Sequence, residues 1–369
     1  MLYDCPLLAE RRPQHVGLYL TATMMDEMMN DLHNTADMTA AEIASSIDIK
    51  TIRAAADRIA PYIVRTPLLE SPRLNDALGF RLLAKPECLQ HTGSFKLRGA
   101  TNAVMSLDDA VTDVVAFSSG NHAQAVARAA RLRGMKATIV MPEDAPAMKI
   151  EGTRAYGADV VTYDRYSESR EDIGNAIAAE TGAALIKPFE DARVIAGQGT
   201  IGLEIAEQCI ERGIVPDHVT CCCGGGGLIA GASLAIRALM PDTAIWAAEP
   251  EDFDDTIRSL ASGIRETVPA KNRSICDAIV TPQPGEMTFS INSRTLAGGF
   301  AVSDHLVLQT MATAFKHLKL VTEPGGAVAL AAALDGRLPK DTKCAVAIIS
   351  GGNADEAMFT KALSAGSLF

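Results

Sequence analysis

Four consecutive glycines, Gly224-Gly225-Gly226-Gly227, separate the apolar run Val219-Thr220-Cys221-Cys222-Cys223 from a helical stretch over 228–239. Such a run is entropically costly unless a ligand orders it. Between a strand and a helix it has a use: backbone N–H groups and the helix dipole converge on an anion, and no side chain blocks the approach. Two further apolar runs end in small, hydrogen-bonding residues. Ser118-Ser119-Gly120-Asn121-His122 follows 114–117, and Ser350-Gly351-Gly352-Asn353 follows 345–349. Strand ends of this kind are where open α/β sheets bind ligands, so the chain is constrained to an α/β fold with its site at these turns.

The middle of the chain keeps the same alternation. Strands are predicted over 114–117, 137–141, 159–163, 184–186, 219–223, 244–248 and 344–349. Helices are predicted over 122–133, from beyond Pro146 to near Gly157, and over 167–181, 199–212, 228–239, 304–319 and 327–334, the last after a turn at Glu323-Pro324-Gly325-Gly326. Upstream, Ile52, Ala55, Ile59 and Ile63 recur at helical spacing, and Pro67 favours an extended chain at Thr66. This βαβ periodicity predicts two open parallel sheets covered by helices on both faces. A dinucleotide site is the rival reading of the glycine run, but with Gly231 it does not reproduce the G-x-G-x-x-G spacing and its downstream ribose acid.

Composition narrows the function classes. With 369 residues, 48% of them hydrophobic, the chain is long and apolar enough for two packed domains. A net charge of -11 argues against a nucleic-acid surface, which needs clustered Lys and Arg. No run approaches the roughly 20 apolar residues of a membrane span. The eight cysteines form no C-x-x-C pair, which disfavours zinc and a disulfide framework and points to a reducing cytoplasm. Residues 1–48 stand apart from the pattern as an N-terminal extension, disordered or begun at too early a start codon. A secretory signal is disfavoured there, because the apolar run 16–20 is short and Asp26, Glu27 and Asp31 follow it.

One lysine completes the picture. Lys96 lies in His91-Thr92-Gly93-Ser94-Phe95-Lys96-Leu97-Arg98-Gly99-Ala100, flanked by small residues that let the backbone approach a ligand. Standing alone, it would be a solvated surface charge. With the three strand-end motifs, in this order and approximate spacing, the chain resembles the fold-type II pyridoxal phosphate enzymes, and within them the threonine/serine dehydratase and serine racemase family, over about 50–360. The resemblance implies a small domain, 112–190, inserted in a discontinuous large cofactor-binding domain, 49–111 plus 191–369. It also implies a homodimer or homotetramer.

By that resemblance Lys96 bonds to pyridoxal phosphate and later takes the substrate Cα proton, work that needs an amine of lowered pKa. Gly224, Gly225, Gly226 and Gly227, with Leu228, cradle the cofactor phosphate; Asn121 meets the ring 3-oxygen, Ser350 the pyridine nitrogen, and Phe95 packs beside the ring. Ser118, Ser119, Gly120, Asn121 and His122 bind the substrate α-carboxylate, although such a segment alone reads as an ordinary helix N-cap. Ser119 also falls where the family's racemases keep an acid/base opposite the lysine. Arg170 falls near the substrate side chain in those racemases and reads equally as a solvated helix charge among Glu168, Glu171 and Asp172. Glu249, Phe253 through its carbonyl, and Asp255 match the family's divalent-cation site, where hard oxygen donors suit Mg²⁺ or Ca²⁺; an acidic solvated loop is the other reading. The activity implied is dehydration and deamination of L-threonine and L-serine. The alternatives are L-threo-3-hydroxyaspartate dehydration, serine racemization and, more distantly, metabolite binding without catalysis.

Overall fold

The structure, a computed structural model, describes residues 38–118, 120–145, 147–269 and 271–369. It opens with α1 (Ala40–Ser46) and α2 (Ile49–Ile59), the second begun by Asp48, whose carboxylate accepts the Thr51 N–H at 2.8 Å. There follow β1 (Leu69–Glu70), α3 (Pro72–Leu78), β2 (Arg81–Pro86) and α4 (Lys96–Met105). Next come β3 (Asp113–Phe117), α5 (Asn121–Arg133), β4 (Lys136–Pro142), α6 (Ala147–Ala155), β5 (Asp159–Tyr163), α7 (Arg170–Thr181) and β6 (Ala184–Leu185). The chain continues through α8 (Ala192–Glu211), β7 (His218–Cys222), α9 (Gly227–Leu239), β8 (Ala244–Pro250) and α10 (Asp255–Ser262). It ends with α11 (Glu286–Thr295), β9 (Gly298–Val302), α12 (Asp304–Thr313), α13 (Pro324–Leu334), β10 (Cys344–Ile349) and α14 (Glu356–Ala365).

Two sheets result, as the alternation predicts. The larger has the order β1-β2-β10-β7-β8-β9, parallel except for the two-residue β1. The smaller, β5-β4-β3-β6, is wholly parallel and is built entirely from 113–185. Helices cover the strands, so β7 and β10 are buried at every residue; that is why they read as unbroken apolar runs rather than as alternating ones. Among the described residues no helix is long and apolar enough to cross a membrane.

Three boundaries differ from the sequence reading. The helix expected to start at 199 starts at Ala192, after Asp191 accepts the Arg193 N–H. Its glycines are not breakers but contact points: a Cβ on Gly197 would lie 2.7 Å from the Gly99 Cα, and one on Gly202 would strike the Ala232 backbone. Glu323-Pro324-Gly325-Gly326 is not a separate turn but the cap and first turn of α13, with Pro324 at the first helical position. The extension assigned to 1–48 also ends earlier, because Ala44 and Ile47 pack with Met287 and Ile291; residues 1–37 lie outside the described residues.

Beneath the site sits an ion network with no exposed arginine. The Arg98 guanidinium, on α4, donates to Glu87 at 2.7 and 2.8 Å and to Glu204 of α8 at 2.7 and 2.9 Å, and Lys85 donates to Glu204 at 2.6 Å. Arg98, Lys85 and Glu87 are fully buried, so each charge depends on its partners. Replacing Arg98 with alanine takes from Glu87 its paired cation and leaves Glu204 with Lys85 alone, and is expected to lower unfolding stability by about 3–5 kcal/mol in urea melts. A loss below about 1 kcal/mol, the worth of a surface pair, would show that the network is dispensable.

Candidate active site

A cavity of about 310 Å³ opens where β3, β7 and β10 end, and it gathers residues from all four sequence motifs. Lys96, the first residue of α4, lines it and donates from Nζ to the Pro188 carbonyl at 3.0 Å. Burial lowers its pKa to about 8. Phe95 is buried beside it, with the amine 5.2 Å from the ring centroid.

The glycine run is hemmed in from behind. Gly226 has φ +90°, and a Cβ there would lie 2.8 Å from both Asn292 Nδ2 and Thr288 Oγ1; one on Gly224 would lie 3.0 Å from the Ile279 Cα, and those on Gly225 and Gly227 would strike Phe189. No larger residue fits without displacing these neighbours. Gly227 begins α9 and Leu228 follows it on the cavity wall, so the N–H groups of a helix start face the space. Ser350, at the end of β10, lines the same wall while its carbonyl accepts the Phe95 N–H at 2.9 Å.

Asn121, Gly120 and Ser118 reach the cavity from the start of α5. The Asn121 amide is held on both sides, donating to Glu323 at 2.6 Å and accepting from Asn353 at 2.7 Å. Its second amide hydrogen is left for a ligand. The His122 ring is turned away from the cavity's polar work. Its Nε2 lies 3.0 Å from the Ile186 carbonyl, an acceptor only, so that nitrogen carries the hydrogen. Burial, helped by the Lys96 charge, lowers the imidazole pKa to about 3. A neutral ring with its one N–H already committed cannot donate to a carboxylate, which leaves His122 only its backbone N–H for that purpose. Ser119 lies outside the described residues.

Arg170 is the first residue of α7 and lines the cavity, with its guanidinium 5.4 Å from the Phe117 ring centroid; it is also half exposed and pairs with Glu171 at 2.8 Å. Both of its sequence readings therefore have a structural counterpart. Four further ionisable residues at the cavity were not legible in the sequence. Arg165 pairs with exposed Asp144 at 2.6 Å, Lys149 pairs with Asp277 at 2.5 Å, and Glu323 is buried. Burial, reinforced by the Asp277 charge, raises the Glu323 pKa to about 7.

The metal candidates lie elsewhere, beyond β8. Glu249 is buried and accepts the Thr256 and Ile257 N–H groups at 3.1 and 2.9 Å, which caps α10. Phe253 is buried in the short turn between, and Asp255 Oδ2 is buried with no hydrogen-bond partner among the described residues. Burial raises the pKa of both carboxyls, that of Asp255 to about 7, and the Asp255 charge adds to the rise at Glu249. Among the described residues no group of three or more His, Cys, Asp or Glu side chains could hold a metal. Glu249 and Asp255 are thus a buried pair of carboxylates, while Glu251 and Asp252 between them are exposed.

Comparison with known proteins decides the family. The sequence profile of the family described as pyridoxal-phosphate dependent enzyme matches residues 59–351. The chain belongs to the pyridoxal-phosphate dependent enzymes. It is 40% identical to a serine racemase of Oryza sativa subsp. indica over 84% of this chain and 91% of that one. It is 42% identical to an L-threo-3-hydroxyaspartate ammonia-lyase of Saccharomyces cerevisiae over 84% and 94%. A solved threonine deaminase, from the organism abbreviated T.th., superposes with a TM-score of 0.79 at 46% identity, over 84% of this chain and 99% of that one. The architecture is that of fold-type II pyridoxal phosphate enzymes.

The cavity fits the family's cofactor on structural grounds. It presents an amine of lowered pKa, a glycine cradle at a helix start for a phosphate, and an amide and a hydroxyl for a polar ring. Only the neutral amine attacks a carbonyl, and its fraction rises tenfold per pH unit below the pKa. The rate at which the cofactor-free protein captures pyridoxal phosphate is therefore expected to climb with pH up to about 8 and to flatten above it. Stopped-flow absorbance measures this, and a rate that keeps climbing tenfold per unit beyond about pH 9, as for an ordinary lysine amine, would contradict the lowered pKa.

Proposed function

We propose that the protein is a pyridoxal phosphate-dependent ammonia-lyase that converts β-hydroxy amino acids, L-threonine and L-serine first among them, to 2-oxo acids and ammonia. The observation that carries the reading is Lys96, desolvated and directed into a cavity whose other walls are the glycine cradle and the α5 start. When bound, pyridoxal phosphate supplies an electron sink that acidifies the substrate Cα–H. Gly224 to Gly227 would hold its phosphate, and Asn121 and Ser350 its ring.

The chain's own residues then divide the work. Backbone N–H groups from Gly120 to His122 orient the substrate carboxylate at the start of α5. Lys96 takes the Cα proton on its neutral amine, and the Pro188 carbonyl, accepting one of its N–H bonds, aims the lone pair. Glu323 and Asn353 fix the Asn121 amide so that it does not rotate away. Ser119 is proposed as the second acid/base on the strength of the sequence alone. The smaller sheet would belong to a small inserted domain, 112–190, within 49–111 plus 191–369. A homodimer or homotetramer in the cytoplasm completes the proposal, supported by thiols such as Cys88, Cys209 and Cys276 that remain unpaired.

A second substrate reading has a specific observation behind it. Arg165 and Arg170 both line the cavity, and among the described residues each is hydrogen-bonded only to a solvent-exposed carboxylate, which a desolvated substrate anion could displace. Neither hydroxyl side chain of serine or threonine needs a cation, whereas L-threo-3-hydroxyaspartate carries one more carboxylate. The deciding experiment measures 2-oxo acid release from the three substrates by the parent protein and by Arg170→Ala. A kcat/KM for hydroxyaspartate that falls at least tenfold more than that for serine selects the second reading, and equal falls select the first. Loss of an absorption band on borohydride treatment, with the added mass on the Lys96 peptide, tests the cofactor. No such band after incubation with pyridoxal phosphate would overturn the enzyme reading.

The buried carboxylate pair offers a place for Mg²⁺ or Ca²⁺, with Asp255 Oδ2 unpartnered and Glu249 and the Phe253 carbonyl as the remaining donors. The ion would neutralise like charges that burial disfavours and would take no part in a chemical step. Because the Asp255 pKa is raised to about 7 in the folded state, above its unfolded value, stability without a cation declines as pH climbs from about 4 to about 7. The thermal shift produced by Mg²⁺ or Ca²⁺ is therefore expected to be larger at pH 8 than at pH 5, and to vanish in Asp255→Asn. An equal shift in that variant would place the ion elsewhere.

A further inference from the structure

The glycine cradle has a back wall, and one residue of that wall has nothing to bond to. Helix α11 presses Thr288 and Asn292, one turn apart, against the outer side of Gly226, where a Cβ would lie 2.8 Å from a polar atom of each. Thr288 is employed: its hydroxyl donates to the Gly225 carbonyl at 2.7 Å. Asn292 is not. It is fully buried, and neither its Nδ2 nor its Oδ1 has a hydrogen-bond partner among the described residues. Such an amide offers two donors and an acceptor oxygen with two lone pairs, and a buried one that uses none of them needs a reason.

The peptide beside it supplies one. The Gly225 carbonyl points to α11, where it accepts from Thr288 and from the Gly285 N–H at 3.4 Å. A trans peptide aims its C=O and N–H in opposite directions, so the Gly226 N–H is turned away from α11 and toward the cavity that Gly225 and Gly226 line. This setting receives an anion. Turning that one peptide over reverses it: the N–H then meets α11, where the Asn292 oxygen can accept it, and the carbonyl enters the cavity, where it repels an anion. The turn takes φ of Gly226 from +90° to about -90°, the difference between two common turn types, and glycine occupies both signs of φ about equally.

We propose that Asn292 is a positioning residue for the cradle: it holds the Gly226 N–H when no anion is present and releases it when the cofactor phosphate arrives. The inference rests on the cofactor reading given above and adds that the chain limits its own affinity for the phosphate. The receptive setting is only a fraction of the unliganded population, and apparent affinity falls by that fraction. Asn292 stands unbonded here because the cradle is in its receptive setting.

Equilibrium dialysis of the full-length protein, freed of cofactor, compares pyridoxal phosphate with pyridoxal, which lacks the phosphate. Asn292→Leu keeps the branched shape and removes both polar atoms. It is expected to bind pyridoxal phosphate on the order of fivefold more tightly than the parent and pyridoxal equally well. A merely structural role moves the result the other way, because a loosened α11 weakens the cradle. Pyridoxal phosphate binding that is unchanged or weaker, or an equal gain for pyridoxal, overturns the proposal. A second measurement does not depend on how the variant folds: a crystal structure of the parent protein grown without cofactor, phosphate or sulfate is expected to show Gly226 with negative φ, and a positive φ there overturns the proposal. Failure of parent and variant alike to bind pyridoxal phosphate removes the cofactor reading and this inference with it, whereas equal binding by the two removes the inference alone.

Discussion

Arg98 holds two carboxylates apart in a place that water does not reach. Glu87 reaches it from the end of β2, Glu204 from the middle of α8, and Arg98 itself stands in the first turn of α4. A buried charge of this kind stays only where the geometry is complete, because each ion left unpaired costs several kcal/mol. The three elements are therefore fixed relative to one another before any ligand arrives. Lys96 inherits that fixity through the helix, which is why a flexible four-carbon side chain can be aimed at all.

Above the network, close backbone approach does what large side chains do in other cores. Gly99 meets Gly197, Gly199 meets Gly231, and Gly202 meets Ala232. The helices α4, α8 and α9 consequently pack at nearly backbone distance, and α9 delivers the glycine cradle to the cavity at its own N-terminus. The same economy explains the run at 224–227. Its residues must be small on the outer side because Phe189, Thr288, Asn292 and Ile279 press there, and bare on the inner side because an anion has to meet the N–H groups.

Much of this was readable from local chemistry. A glycine run between strand and helix, a lysine among small residues and the strand-end motifs each state a requirement within a few residues, so Lys96, Asn121, Ser350 and Gly224 to Gly227 could be named in advance, and all reach one cavity. What was not readable depends on distance along the chain. Lys149 meets Asp277 across 128 positions and Asn121 meets Glu323 across 202, and neither pair leaves a local pattern. The commitment of the His122 ring depends on the Ile186 carbonyl. The early start of α8 was hidden for a related reason: its glycines look like breakers until the helix they touch is known.

The contact between Lys149 and Asp277 joins α6, which packs under the smaller sheet, to the loop before α11 beside the larger one. Asp277 is more than half exposed, so the bond is a surface ion pair worth roughly 0–1 kcal/mol. At the cavity wall the two sheets are thus tied in part by a bond of thermal strength, one that dissolved ions weaken by screening.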